Sequence, residues 1–146
     1  MTARKHRSES GTVLVETALT IFLLILFLFG IMEAGRFISV QQVVTDAARE
    51  GARLAVAPLS GTTTMATSTE VSAMVNTFLA ASHVQAANIH VYCATCDDGN
   101  APVASLLPAR FTKVEVSVIY EPILSVLINS GITLKGEALM RDETSP

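Results

Sequence analysis

The chain has little of what a large core or a catalytic site needs. It has no tryptophan, two tyrosines and six phenylalanines among 146 residues, and three of those phenylalanines lie within residues 13–32. The rest must build its core from Val, Ile, Leu and Ala, so we expect a small and moderately stable domain. We find no nucleophile elbow, phosphate loop or paired-carboxylate pattern, so the sequence predicts no enzyme, cofactor or small-molecule substrate.

Positive charge is scarce outside the first eleven residues. The whole chain has a net charge of −3. Residues 1–11 hold three cations (Arg4, Lys5 and Arg7) against one acid (Glu9), so the remainder has a net charge of −5. Without a basic patch there is no electrostatic footprint for nucleic acid, which we exclude as a partner.

Residues 13–32 form an apolar stretch with a single charge, Glu16. Twenty residues span about 30 Å as a helix, which matches the hydrocarbon core of a bilayer. The preceding cations place the N-terminus in the cytoplasm and the residues after about 33 outside it. The stretch is longer than the apolar core of a secretory signal, and Met32 and Glu33 break the small-residue cleavage pattern. We therefore expect a single-pass anchor in the membrane rather than a removed signal.

Three charged residues mark this segment. A carboxylate at membrane depth is costly, so Glu16 is a candidate functional residue, although one turn into the bilayer it could also reach the headgroups. Glu33 and Arg36 lie at the outer membrane boundary, where we interpret them as an interfacial ion pair.

The helical pattern continues beyond the membrane to about residue 57, just before Pro58, as a stalk with a small-residue face. That face allows close packing, either against the chain's own domain or against a partner subunit. Thr67 and Glu70 have the spacing of a capping box and predict a second, amphipathic helix. Period-two alternation then predicts three strands, the last with Gly136 as a bulge or a close contact. We predict an α+β fold: a long N-terminal transmembrane and stalk helix, a second helix and a small three-stranded antiparallel sheet.

Cys93 and Cys96 form a CxxC motif that follows a predicted strand. A redox role would place the pair at a helix start in a βαβ unit, and a zinc site would need two more ligands. In an oxidising compartment a local disulfide is the simplest interpretation, with metal or redox chemistry as the alternatives.

The N-terminal segment resembles the processing site of type IV pilin-like proteins, which have a short basic leader, a glycine (here Gly11) and an apolar helix with an acid at its fifth position (here Glu16). Residues 30–37 and 46–53 (Gly-Ile-Met-Glu-Ala-Gly-Arg-Phe and Asp-Ala-Ala-Arg-Glu-Gly-Ala-Arg) and the chain's C-terminal end further resemble the TadE-like pseudopilins of the tight-adherence (Flp) pilus system. The resemblance implies a pilin-like fold and a minor pseudopilin of the bacterial inner membrane that prepilin peptidase trims between Gly11 and Thr12. Its partners would be other pilins, pseudopilins and pilus assembly proteins.

On this reading the chain divides into a leader (1–11), a transmembrane helix with its stalk (12–57) and an extracytoplasmic α+β domain (58–146). Cleavage would leave a positive amine on Thr12, with which Glu16 of a neighbouring subunit pairs and so fixes axial register. Two other functions stay open. One is an uncleaved membrane-anchored binding or adhesion module, and the other is a secreted redox or metal protein built on the two cysteines.

Overall fold

The computed structural model describes residues 6–57, 65–92, 111–123 and 131–141, with the backbone alone for residues 6–10. Helix α1 spans His6–Val56 and helix α2 spans Ser68–Ala81, and strands β1, β2 and β3 span Ala86–Tyr92, Phe111–Tyr120 and Ile132–Arg141. The predicted α+β class is confirmed. Helix α1 starts earlier than the predicted residue 12, because nothing between His6 and Gly11 breaks a helix.

The chain forms two compact units, Met1–Arg36 and Phe37–Pro146. The described part of the first unit is the N-terminal half of α1. The second unit comprises the rest of α1 together with α2 and the sheet. The stalk residues of α1 therefore belong to the same compact unit as the sheet.

The small-residue face of α1 packs inside this second unit. Ala47, Ala48 and Ala52 are fully buried, and they share one core with residues of α2 and of all three strands. The open question about this face is thereby resolved, since it packs in the chain's own core. Two arginines on the opposite side pair with acids along the helix, Arg49 with Asp46 at 3.3 Å and Arg53 with Glu50.

Helix α2 has a defined cap at each end. The Thr67 hydroxyl accepts a hydrogen bond from the Glu70 amide, while the Glu70 carboxylate accepts one from the Thr67 amide at 2.8 Å, which confirms the predicted capping box. At the other end the amides of His83 and Val84 donate to the carbonyls of Ala80 and Leu79. His83 has a φ of 56°, the left-handed conformation that closes this type of C-cap and turns the chain into β1.

The sheet has the strand order β1-β2-β3 and both pairs are antiparallel. Alternate residues of β2 are buried against the helices, and the cross-strand pair of Val116 with Gly136 lies at the centre of the β2–β3 register. That register is regular over its whole length, so Gly136 does not form a bulge. A shift in register occurs instead on the other side of β2, between Ala86 and Asn88 of β1.

Gly136 permits a close approach of α1 to β3. A Cβ at Gly136 would lie 2.6 Å from the carbonyl oxygen of Val44 and 2.9 Å from the Cα of Thr45. The predicted close contact at Gly136 is therefore confirmed. Nearby, the Gln41 side-chain amide donates a hydrogen bond of 2.8 Å to the Lys135 carbonyl. The Gln41 bond also gives a partner to one backbone carbonyl of β3, which is an edge strand of the sheet.

Candidate functional site in the N-terminal helix

The N-terminal part of α1 carries an apolar surface with no cover in the described structure. All residues from Gly11 to Met32 are exposed, and the large apolar side chains among residues 13–32 are 47–71% exposed. Among the described helices, α1 has the length and composition to cross a membrane. An apolar surface of this extent is unfavourable in water and suits a bilayer.

Polar groups within this segment are arranged as a membrane requires. The hydroxyls of Thr17 and Thr20 donate hydrogen bonds of 2.8 Å to the carbonyls of Val13 and Glu16, four residues earlier. Both hydroxyls are thus satisfied within the helix. Glu16 differs, because its charged carboxylate lies on the exposed surface. It follows Thr12 by one helical turn and lies on the same face.

Glycines divide into two groups by what surrounds them. A Cβ at Gly11, Gly30 or Gly35 would have no neighbouring atom within 4 Å. At Gly51 it would come within 2.7 Å of the Val75 side chain, and Gly136 is still more confined. The chain's own fold therefore requires the glycine at 136 but does not require one at Gly11.

Glu33 and Arg36, which the sequence predicts as an ion pair, lie within ion-pair distance of each other. Arg36 Nη1 lies 3.6 Å from Glu33 Oε2, one helical turn away, with 45% and 18% of the two side chains exposed. Whether these residues mark the membrane boundary stays a prediction.

A charge network covers the outer face of the sheet. Lys113 Nζ lies 2.6 Å from Glu137 and 3.7 Å from Glu115, and Lys135 lies 3.4 Å from Glu115. The hydrogen bond to Glu137 raises the pKa of Lys113, and the same bond lowers the pKa of Glu137. Positive and negative side chains alternate in this network, which is typical of a solvated surface and not of a site that binds an anion or a cation.

The predicted cysteine pair, Cys93 and Cys96, lies outside the described residues. Within the ranges that the structure describes, no group of three or more His, Cys, Asp or Glu residues could hold a metal ion.

Sequence reasoning missed two features of the second unit. Gln41 carries no recognisable signal, because its bond to the Lys135 carbonyl depends on a contact between residues far apart in the chain. Ile119 could have been noticed, since it interrupts the polar face of β2 that Lys113, Glu115 and Ser117 form, and it is 57% exposed.

These observations define a class of protein: the described part of the chain has one apolar helix able to cross a membrane and a small α+β unit. Residues 11–53 match the family model described as TadE-like protein. The match confirms the predicted family resemblance over the N-terminal helix and ends before α2 and the sheet. No curated protein and no solved structure matches the chain significantly.

The family match suggests involvement in a tight-adherence (Flp) pilus system. TadE-like pilus-associated proteins are generally structural rather than enzymatic.

Proposed function

We propose that this chain is a minor pseudopilin that supports the assembly or anchoring of a tight-adherence pilus. Prepilin peptidase removes residues 1–11, and the apolar part of α1 holds the mature protein in the bacterial inner membrane. The N-terminus faces the cytoplasm and residues 58–146 form the extracytoplasmic domain. Its partners are the peptidase, the other pilins and pseudopilins, and the assembly proteins of the pilus.

The single observation that carries this proposal is the exposed apolar part of α1, residues 13–32, with Glu16 near its N-terminal end, inside the family match. A lone carboxylate on a lipid-facing helix is costly, whereas in a bundle of such helices it gains a partner. Cleavage after Gly11 creates that partner as the Thr12 amine. The open space around Gly11 supports this interpretation, because the requirement for glycine would then come from the peptidase and not from the fold.

Two substitutions separate processing from assembly. Replacing Gly11 with Trp should block cleavage and leave the full-length precursor in the membrane. Glu16→Leu should insert into the membrane at least as well as wild type, because it removes a charge from the bilayer. It should nevertheless fail to support pilus formation, because the Thr12 amine of a neighbour loses its partner.

The measurement is pilus formation, or co-purification with pilin partners, at matched protein abundance. Thr20→Leu is the matched control: it also removes a polar group, one turn from Glu16, but one that bonds within its own helix. We expect it to assemble normally. Wild-type assembly by Glu16→Leu would contradict the proposed mechanism and favour a membrane-anchored binding module, for which the charge is dispensable.

A further inference from the structure

The candidate cleavage site lies inside helix α1 and not before it, since α1 begins at His6 and continues without interruption past Gly11 and Thr12. A helical carbonyl accepts a hydrogen bond from the amide four residues later, so the Gly11 carbonyl accepts from the Val15 amide. Hydrolysis adds water to the Gly11 carbonyl carbon and breaks its bond to the Thr12 nitrogen, which releases a carboxylate and a protonated amine. A peptidase must polarise this carbonyl oxygen, which the helix already engages. The scissile bond therefore has to leave the helix before it is cleaved.

The residues around this bond favour a helix poorly. Residues 8–12 are Ser-Glu-Ser-Gly-Thr, and four of these five belong to types that weaken a helix or compete for its backbone hydrogen bonds. Glycine is the weakest helix former after proline. A Cβ at Gly11 would meet no atom within 4 Å, so the described structure contains no packing that requires a glycine there. The start of α1 at His6 is therefore only weakly favoured over a later start.

Thr12 supplies a second position at which α1 can begin. Threonine is a favoured N-cap residue, whose backbone is not helical and whose side-chain oxygen accepts a hydrogen bond from the amide two or three residues later. For Thr12 those amides belong to Leu14 and Val15. Glu16 would then lie in the first turn, where a negative charge interacts favourably with the helix dipole. A helix that begins in this way leaves the Gly11 carbonyl outside it.

We propose that α1 exchanges between the long form of the structure, which begins at His6, and a short form in which residues 6–11 unwind and Thr12 is the N-cap. The short form is the one that prepilin peptidase cleaves. This inference rests on the proposed cleavage after Gly11, and it gives the Thr12 hydroxyl a positioning role. Gly11 contributes through its backbone, because a glycine weakens the long form and costs the short form nothing.

Thr12→Val tests the cap in the purified full-length precursor in detergent micelles. Valine has nearly the shape and the helix propensity of threonine but no hydroxyl. Loss of an N-cap oxygen typically shifts a helix equilibrium about fivefold, so we expect prepilin peptidase to cleave this variant about five times more slowly. Thr12→Ser keeps the oxygen and should retain most of the wild-type rate. Thr17→Val is the matched control: Thr17 bonds to the Val13 carbonyl within the helix, and we expect the wild-type rate.

A pair of glycines in the leader separates the cap from direct recognition of residue 12 by the peptidase. Ser8→Gly with Ser10→Gly weakens the long form and leaves residues 11–16 unchanged. When it is combined with Thr12→Val, this pair should raise the cleavage rate about fivefold and so restore it to near the wild-type value. A hydroxyl that the peptidase contacts directly would not be replaced by this pair.

Amide hydrogen exchange of the same precursor without peptidase measures the two forms directly. In the long form the amides of residues 10–13 bond to the carbonyls of residues 6–9, and these bonds are broken in the short form. The Glu16 amide is bonded in both forms, because an N-cap carbonyl accepts the first bond of a helix. We expect Thr12→Val to slow exchange at residues 10–13 about fivefold and to leave Glu16 unchanged.

Two results would overturn the inference while leaving the proposed function intact. Unchanged exchange at residues 10–13 in Thr12→Val would show that the hydroxyl does not govern where α1 begins. Slow cleavage of Thr12→Val that the leader glycines do not restore would show direct recognition of the hydroxyl by the peptidase. A wild-type precursor that the peptidase does not cleave would contradict the proposed function and the role of the short form in it, and the exchange rates would still decide whether the short form exists.

Discussion

The close approach of α1 to β3 predicts that Gly136→Ala destabilises the second unit strongly. The added methyl group would lie 2.6, 2.8 and 2.9 Å from three backbone atoms of Val44 and Thr45. Ordinary carbon contacts need about 3.5 Å or more, so α1 must withdraw from β3 by close to 1 Å. Backbone atoms of a helix cannot rotate away as a side chain can. The Gln41–Lys135 hydrogen bond and the Phe37–Tyr120 contact would be loosened by the same movement.

Overpacking of this kind costs about 3 kcal/mol, at the upper end of the usual range. For a unit of about 110 residues, that loss lowers the melting temperature on the order of 15 °C. Gly51→Ala should cost less, about 1 kcal/mol, because its clash is with a Val75 methyl group and alanine is the better helix former. Gly35→Ala should leave the unit's melting temperature unchanged, because a Cβ there meets no atom within 4 Å.

Near-ultraviolet circular dichroism of the full-length protein in detergent micelles measures the melting temperatures of these three variants. The only tyrosines, Tyr92 and Tyr120, lie in the second unit, and there is no tryptophan to obscure them. The tyrosine band therefore reports the unfolding of that unit and not of the apolar segment, whose aromatic residues are all phenylalanines. Equal melting temperatures for Gly136→Ala and Gly35→Ala would refute the close packing of α1 on β3.

Two further predictions concern the dependence of stability on pH and the oxidation state of the cysteines. Glu50, Glu70 and Glu137 each have a pKa lowered below 4.5 by a hydrogen bond, from Arg53, Thr67 and Lys113 respectively. Their stabilising contribution is present above the unfolded pKa and is lost as pH falls, so the melting temperature should decrease modestly between about pH 5 and pH 3; an unchanged value would contradict these bonds. If Cys93 and Cys96 form a disulfide, thiol labelling of the denatured, unreduced protein should be negligible and should rise on reduction, whereas full labelling without reductant would show free thiols. Replacing both cysteines with serine should reduce stability only modestly, because the loop they close is short.

Much of the fold follows from local patterns. The capping box at Thr67 and Glu70 was predictable because its two bonds join residues three apart. The strands were predictable because side chains alternate between a buried and a solvated face, as in β2 from Val114 to Tyr120. The start of α1 was placed too late, since an apolar pattern marks the membrane segment and not the first helical turn.

The candidate site was also predictable in part. Gly11, Glu16 and the pair of Glu33 with Arg36 all depend on position relative to an apolar stretch, which the sequence displays directly. Their roles in cleavage, assembly and the membrane boundary stay predictions. The contact of Phe37 with Tyr120 could not be identified in this way, because the two residues lie more than eighty positions apart in the chain.

The sequence by itself determined the apolar segment able to cross a membrane, its single carboxylate, the helix cap and the class of fold, because each depends on the spacing of neighbouring residues along the chain. Only the tertiary structure decided that the alanine face of α1 packs in the chain's own core and that Gly136 accepts the α1 backbone. It also decided which end of the sheet lies level with Phe37. These features depend on contacts between distant segments, which are selected by shape and by the total surface buried rather than by any local pattern.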